Sequence, residues 1–372
     1  MKGEVEILLD LVAIPSVSSV SNRPVVDYVL KRLDRGAWKI KLQPYRDPNG
    51  IAKVNLVAIT RGPTARRATP ELALVCHTDT VPYDAAWKEA VNPRIRNGKL
   101  YGRGSCDVKG FLACVLACVS KLDLKRLKRP LALMLTADEE IGCVGAKYLA
   151  AKKALHARYM IIGEPTGLRP VRAGKGYALA EIIVHGKEAH SAFPSRGRSA
   201  IYDAARIVTA LQRIARKLAT HKDRNFDPPF TTLNVGLIQG GTAKNIVAGE
   251  CRITVEWRPI PGQEPGWTAK LIREELARLR VNAELKIQRL DPGFAPAASE
   301  DMAKLLELLT RCRSTTVAFG TEAPHLRSLS SETVVFGPGD MTVAHKSGEF
   351  VPVAELSECV SHLRDVIGKM CG

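Results

Sequence analysis

The sequence predicts an α/β protein: a mostly parallel sheet covered by helices on both faces, with a ferredoxin-like βαββαβ domain inserted between two parts of it. Two observations carry this expectation. Four short apolar runs alternate with helical patterns, which is the rhythm of βαβ units. Between the third and fourth runs the order changes to β-α-β-β-α-β, the split motif of a self-contained small domain.

Taken in order, the N-terminal "MKGEVEILLDLVAIPSV" mixes acids with apolar residues and reads as an amphipathic helix. The four runs are "ELALVC" from Glu71, "PLALMLTA" from Pro130, "ARYMIIG" from Ala157 and "ETVVFG" from Glu332. Each has the length and isolation of a strand buried on both faces. The helices beside them are "GFLACVLACVSKL", "GAKYLAAKKAL" and "SEDMAKLLELLTRC". In the middle, "YALAEIIVHG", "TTLNVGLIQG", "ECRITVEWRP" and "AELKIQRL" read as strands, with helices "SAIYDAARIVTALQRIARKL" and "GWTAKLIREELARLR" among them. The larger domain then takes residues 1–172 and 293–372, and the inserted one residues 173–292.

Composition narrows the function classes. Hydrophobic residues are 45% of 372, enough for a real core. No window approaches the roughly 20 apolar residues of a membrane span, and the N-terminus lacks the charged-then-apolar layout of a secretory signal. Nine scattered cysteines contain no C-x-x-C pair, which favours a reducing, cytoplasmic setting over a disulfide framework. The formal charge of +17 raises nucleic acid as a partner. Against it, the basic residues are spread out, and the densest cluster, "KLDLKRLKRP", has no interleaved aromatics for stacking. Neither nucleic acid nor membrane is the expected partner.

Each of the four strands runs into potential metal ligands. "HTDT" supplies His77 and Asp79, and "TADEEIG" supplies Asp138, Glu139 and Glu140. "GEPT" supplies Glu164, and "GPGDMTVAH" leads to His345. Asp107 lies in the Gly-rich turn "GRGSCDVKG", which lacks the G-x-x-x-x-G-K-[ST] spacing of a phosphate loop. Open parallel sheets form their sites outside the carboxyl ends of the strands. Mixed histidine and carboxylate ligands suit Zn²⁺ or a similar divalent ion.

"HTDTVP", "LYGRGSCDVKG", "TADEE", "GEPT", "VRAGKG" and "GPGD…AH" together resemble the dinuclear-metal family of acetylornithine deacetylase, succinyl-diaminopimelate desuccinylase, aminoacylases and glutamate-type carboxypeptidases. The motifs follow the family order over nearly the whole chain. "IIGEPTGLRPVRAGKG", "FGTEAP" and "RPIPG" most resemble the acetylornithine deacetylase branch. The resemblance implies a catalytic metallohydrolase domain and a lid that also dimerises. It implies two divalent metal ions, Zn²⁺ first and Co²⁺ as an alternative. Asp107 would bridge them, with His77 and Glu164 on one ion and Glu140 and His345 on the other. Glu139 would be the general base, and Asp79 would hold the His77 ring. His190, in "GKEAHSAFP", would stabilise the oxyanion from the partner subunit of a homodimer. Asn245, Arg258, Gly320, Thr321 and Glu322 would bind a small N-acyl amino acid, Arg258 through its carboxylate and Glu322 through a side-chain amine. The implied reaction is hydrolysis of N2-acetyl-L-ornithine in arginine biosynthesis. A desuccinylase or another N-acyl-amino-acid hydrolase is the alternative within the family, and an inactive metal-binding homologue the alternative outside it.

Overall fold

A computed structural model describes residues 2–61 and 69–372. The four apolar runs form adjacent parallel strands in the spatial order Leu131–Thr136, Leu72–His77, Ala157–Ile162 and Ser330–Val335. Residues of both parities along Leu72–His77 and Leu131–Thr136 are buried, so both faces of this centre are covered. A hairpin of Trp38–Arg46 and Ala52–Thr60 extends the sheet beside Leu131–Thr136, and both of its pairings are antiparallel. At the other side Val171–Gly174 meets Ser330–Val335 in antiparallel sense, and the short Thr315–Val317 lies outermost. The sheet is thus parallel at its centre, with antiparallel pairings on either side of it.

One layer of the core joins helices Glu4–Val12, Lys109–Ser120 and Val353–Cys371 to alternate residues of the strands, among them Leu72, Leu74, Leu133 and Leu135. Cys114 and Cys118 are buried here on Lys109–Ser120 as ordinary apolar side chains.

The chain divides into two compact units. One comprises Met1–Arg172, Pro296–Thr315 and Thr321–Gly372; the other comprises Ala173–Ala295 and Thr316–Gly320. The second unit ends later than residue 292 and takes in a further short segment for a local reason. Gly174 and Phe294 exchange backbone hydrogen bonds of 3.0 and 2.9 Å, and Lys175 N donates to Val317 O at 3.0 Å.

Within the inserted unit the sheet order is Thr232–Gly240, Glu250–Arg258, Tyr177–His185, Ala283–Asp291, antiparallel throughout. That order is the ferredoxin-like arrangement. Ala180, Ile182 and Val184 pack against Ile207 and Leu211 of helix Ala200–Leu218 and Ile272 of helix Pro265–Leu279. Thr232–Gly240 is an edge strand with most of its residues exposed, including Leu237 and Ile238.

Candidate metal centre

Register brings the predicted ligands to one rim. His77 pairs with Thr136, and Val75 with Ile162, so Glu164 lies level with His77 two residues further on. Gly163 permits that approach, because a Cβ there would fall 2.1 Å from the Phe111 ring. Asp107 arrives on the turn preceding helix Lys109–Ser120. Gly104 in that turn has φ +79°, and a Cβ on it would meet Thr80 at 2.8 Å.

The oxygens of Asp107 are divided between two histidines. Oδ1 lies 3.0 Å from Nε2 of His77, and Oδ2 lies 3.1 Å from Nε2 of His345. His345 Nε2 is also 3.2 Å from Glu140 Oε2. Potential ligand atoms of His77, Asp107 and Glu164 lie within 4.8 Å of one another, and so do those of Asp107, Glu140 and His345. The five residues expected as ligands therefore form two trios that share Asp107.

The acidic triplet separates into three environments because Asp138, at φ 59°, interrupts the alternation of the strand. Asp138 turns away to Lys53 Nζ at 2.6 Å and Tyr45 Oη at 2.9 Å. Glu139 and Glu140 stay on the metal side, held by their backbones. Asp79 Oδ1 accepts from Glu139 N at 3.1 Å, and its Oδ2 accepts from Glu140 N at 3.3 Å and from Ser18 Oγ at 2.7 Å. Asp79 therefore holds the His77 ring through its backbone. His77 Nδ1 donates to the main-chain carbonyl of Asp79 at 3.0 Å, whereas its carboxylate lies 3.8 Å away and is occupied with the triplet. The ring tautomer is set either way, with Nε2 facing Asp107.

Burial, followed by the charge of Asp107, raises the carboxyls of Glu164 and Glu140. Burial also pushes Glu139 up to about 7, with His77 opposing and Glu140, Asp107 and Asp79 adding. Burial alone would depress His77, but Asp107 and the neighbouring glutamates outweigh it and raise its pKa well above normal. Hydrogen bonds to Asp107 and then Glu140 raise His345 to about 10. A carboxylate cluster this dense favours positive charge beside it, of the kind a divalent cation carries. The donor set fits such ions: Glu140 Oε1 is buried without a hydrogen-bond partner, and histidine with carboxylate is a zinc-type combination.

Several contacts escaped the sequence reading. Lys53 stands in the largely apolar run "AKVNLVAIT", and a lysine in such a run is a usable signal. Cys143, at φ 54°, directs its thiol to Glu139 Oε1 at 3.4 Å. Glu349 accepts from the backbone of Cys106 and Asp107 at 3.0 and 3.1 Å. Nothing local in the sequence marks Ser18 or Glu349. Glu322, expected to meet a substrate amine, is wholly buried and accepts from Thr136 Oγ1 at 2.9 Å. Burial, then the charge of Glu139, pushes it up to about 8, so at neutral pH it is a poor counter-charge for an ammonium. Thr321 is buried beside it, and its Oγ1 accepts from Ala323 N at 3.2 Å.

The inserted unit brings His190 and Asn245 together. Ser191 N donates to Asn245 O at 2.9 Å, and His190 forms a bridge with Ile246. His190 and Asn245 are exposed. Ala192 N donates to His190 Nδ1 at 3.1 Å, which puts the proton of the neutral ring on Nε2. Arg258 stacks 4.0 Å above the Tyr177 ring, and a Cβ on Gly320 would lie 3.4 Å from Tyr177 Cβ.

Comparison with known proteins adds to this geometry. The family model for peptidase family M20/M25/M40 matches residues 73 to 369. Acetylornithine deacetylase of Myxococcus xanthus is 47% identical over 371 residues, covering 98% of this chain and 97% of its own. An M20-family metallo-carboxypeptidase from Sulfolobus solfataricus superposes with a TM-score of 0.77 at 19% identity, over 98% of each chain. The YXEP protein of Bacillus subtilis, a dinuclear metal-binding M20 peptidase, gives 0.64 at 13% identity, over 99% of this chain and 98% of that one.

Proposed function

We propose a function from one premise: the chain belongs to peptidase family M20/M25/M40. It is a metal-dependent hydrolase of that family, and its reaction is the hydrolysis of N2-acetyl-L-ornithine to L-ornithine and acetate, a step of arginine biosynthesis. The observation that carries the substrate is the nearly full-length likeness, at 47% identity, to the Myxococcus xanthus acetylornithine deacetylase.

His77, Asp107 and Glu164 would hold one divalent ion, and Asp107, Glu140 and His345 the other, with Zn²⁺ first and Co²⁺ as the alternative. When bound, such a pair polarises an amide carbonyl and makes a water more acidic. Glu139 takes the proton of the water that attacks the acetyl carbonyl, then returns it to the departing amine nitrogen. Its buried carboxylate supports this assignment, since a ligand set alone has no use for an additional acid beside it. Asp79 keeps Glu139 and Glu140 in place through their backbone N–H groups.

His190, with its Nε2–H available, would donate to the developing oxyanion from the partner subunit of a homodimer. The exposed edge strand Thr232–Gly240 and the neighbouring apolar side chains Ile201 and Tyr202 support dimerisation through the inserted unit. Asn245 and Arg258 would bind the substrate, the guanidinium taking the α-carboxylate. Gly320, Thr321 and Glu322 would complete the substrate-binding segment, the Glu322 carboxyl anchoring it on Thr136. We place the protein in the cytoplasm, where its nine free thiols would stay reduced. No helix among the described residues is long and apolar enough to cross a membrane.

Acetate release from N-acetylornithine, measured beside succinate release from N-succinyl-diaminopimelate, tests the substrate. Preference for the first is expected. Preference for the second would make the protein a desuccinylase, and no release from either would remove both readings.

A further inference from the structure

We infer that Glu349 is the positioning residue that fixes Asp107 relative to His345 and thereby sets the affinity for the ion those two residues share. The inference rests on the metal-centre reading above.

Both oxygens of this buried carboxylate are engaged with the turn that carries Asp107. Oε1 accepts from the consecutive backbone N–H groups of Cys106 and Asp107, at 3.0 and 3.1 Å. Oε2 receives Arg103 Nη1 at 2.6 Å, with Arg103 and Glu349 only 4% and 0% exposed. The main chain of Glu349 continues the attachment, its carbonyl accepting from Gly102 N at 3.1 Å. Immediately afterwards Phe350–Pro352 pairs antiparallel with Lys99–Tyr101. Glu349 therefore pins the end of the loop that begins at His345 to residues 102–107, through a charge-assisted cluster in a dry environment, where such bonds are at their strongest.

The two histidines differ in how much they need this pin. His77 ends a strand hydrogen-bonded on both sides, and its ring is buried. His345 sits in a loop at φ 62°, with its side chain 49% exposed. Burial therefore does not hold it. A chelate of two ligands on separate loops is only as tight as the loops' separation is fixed, because each free loop must be ordered when the ion binds. Glu349 orders both loops beforehand. The hydrogen bonds to its carboxylate come from Arg103 and from the backbone of Cys106 and Asp107, so its effect passes through the backbone of Asp107 and through the loop of His345.

The test is a stepwise Co²⁺ titration of metal-stripped protein, followed by ligand-field absorption. It compares wild type with Glu349→Gln and with the double variant Arg103→Met/Glu349→Gln. The double variant leaves no unpaired buried guanidinium, so it keeps the test open if the single variant folds poorly. The expected result is an Asp107–His345 ion bound about 10–100-fold more weakly, with the other ion changed less than about threefold. Affinity for the Asp107–His345 ion within twofold of wild type in a folded variant would overturn the assignment. Equal weakening of both ions would also overturn it, because that is what general loosening produces. If wild type itself takes up fewer than two ions, the metal-centre reading has failed, whatever the variants do.

Discussion

Lys53 Nζ lies 2.6 Å from Asp138 Oδ1 with both side chains fully buried, and this pair explains how three consecutive carboxylates coexist at the end of one strand. Asp138 is neutralised from the neighbouring strand and takes no part in the two ligand trios. Lys53 also donates to the carbonyls of Ser18 and Val20, which ties the N-terminal segment to the same point. Removing one member of a buried pair leaves the other uncompensated, at a cost of about 3–5 kcal/mol. Lys53→Met should lower unfolding free energy by that amount in urea denaturation, and Lys53→Met/Asp138→Leu should recover part of it. A loss below about 1 kcal/mol in the single variant would mean that the pair contributes little.

A second prediction concerns pH. Glu322 is pushed up to about 8, by burial first and by Glu139 next, from an ordinary value of 4.5. A folded-state pKa above the unfolded one contributes stability that is complete below the unfolded pKa and is lost as pH rises through the folded pKa. For Glu322 that window runs from about pH 4.5 to about pH 8. In metal-stripped protein, Glu322→Gln should therefore gain stability relative to wild type as pH rises, by at least about 1 kcal/mol across the window. Thermal or urea unfolding at several pH values checks this. Parallel stability curves for the two proteins would show that Glu322 titrates normally.

A third concerns assembly. Inactive His190→Ala chains mixed with inactive Glu139→Ala chains should regain activity, because one site of each heterodimer receives both wild-type residues. Recovery of up to about a quarter of wild-type activity is expected on statistical mixing, with one intact site per heterodimer and heterodimers forming half the population. No recovery in verified heterodimers would confine His190 to its own chain or exclude it from the reaction.

Metal removal gives a fourth prediction. Chelation should abolish activity, and Zn²⁺ or Co²⁺ should restore it, since five ligands converge with Glu140 Oε1 left unpartnered. Full activity in rigorously metal-free protein would contradict the whole assignment of the site.

The legible parts of this molecule were those encoded locally. Continuous apolar runs marked the four central strands, and the polar residues just past them marked the ligands, because strand ends in such sheets share one rim. Neither strand of the outer hairpin is among those the sequence predicts, Trp38–Arg46 being the less marked of the two. Its burial is irregular, and its pairing with Ala52–Thr60 depends on the partner more than on its own pattern. The supporting contacts were hidden for a different reason. Glu349 meets Asp107 across 242 positions, and Ser18 meets Asp79 across 61, so no window of sequence contains either pair. Asp79 does hold the His77 ring, but nothing in "HTDT" shows which of its groups does so, and the side-chain carboxylate is the obvious candidate. The fold instead gives that carboxylate to two N–H groups at Glu139 and Glu140, leaving the carbonyl for the imidazole.

The neighbours Glu139 and Glu140 provide the most direct test of the mechanism, measured as metal stoichiometry and kcat for Glu139→Gln and Glu140→Gln side by side. Glu139→Gln keeps the shape but cannot accept the proton, so it should bind two ions while kcat falls by at least about 10²–10⁴-fold. Glu140→Gln gives the Asp107–His345 ion a neutral ligand, so that ion should be lost or bound loosely, with part of the rate restored by excess metal. Normal metal content in Glu140→Gln together with metal loss in Glu139→Gln would contradict the assignment and reverse the two roles.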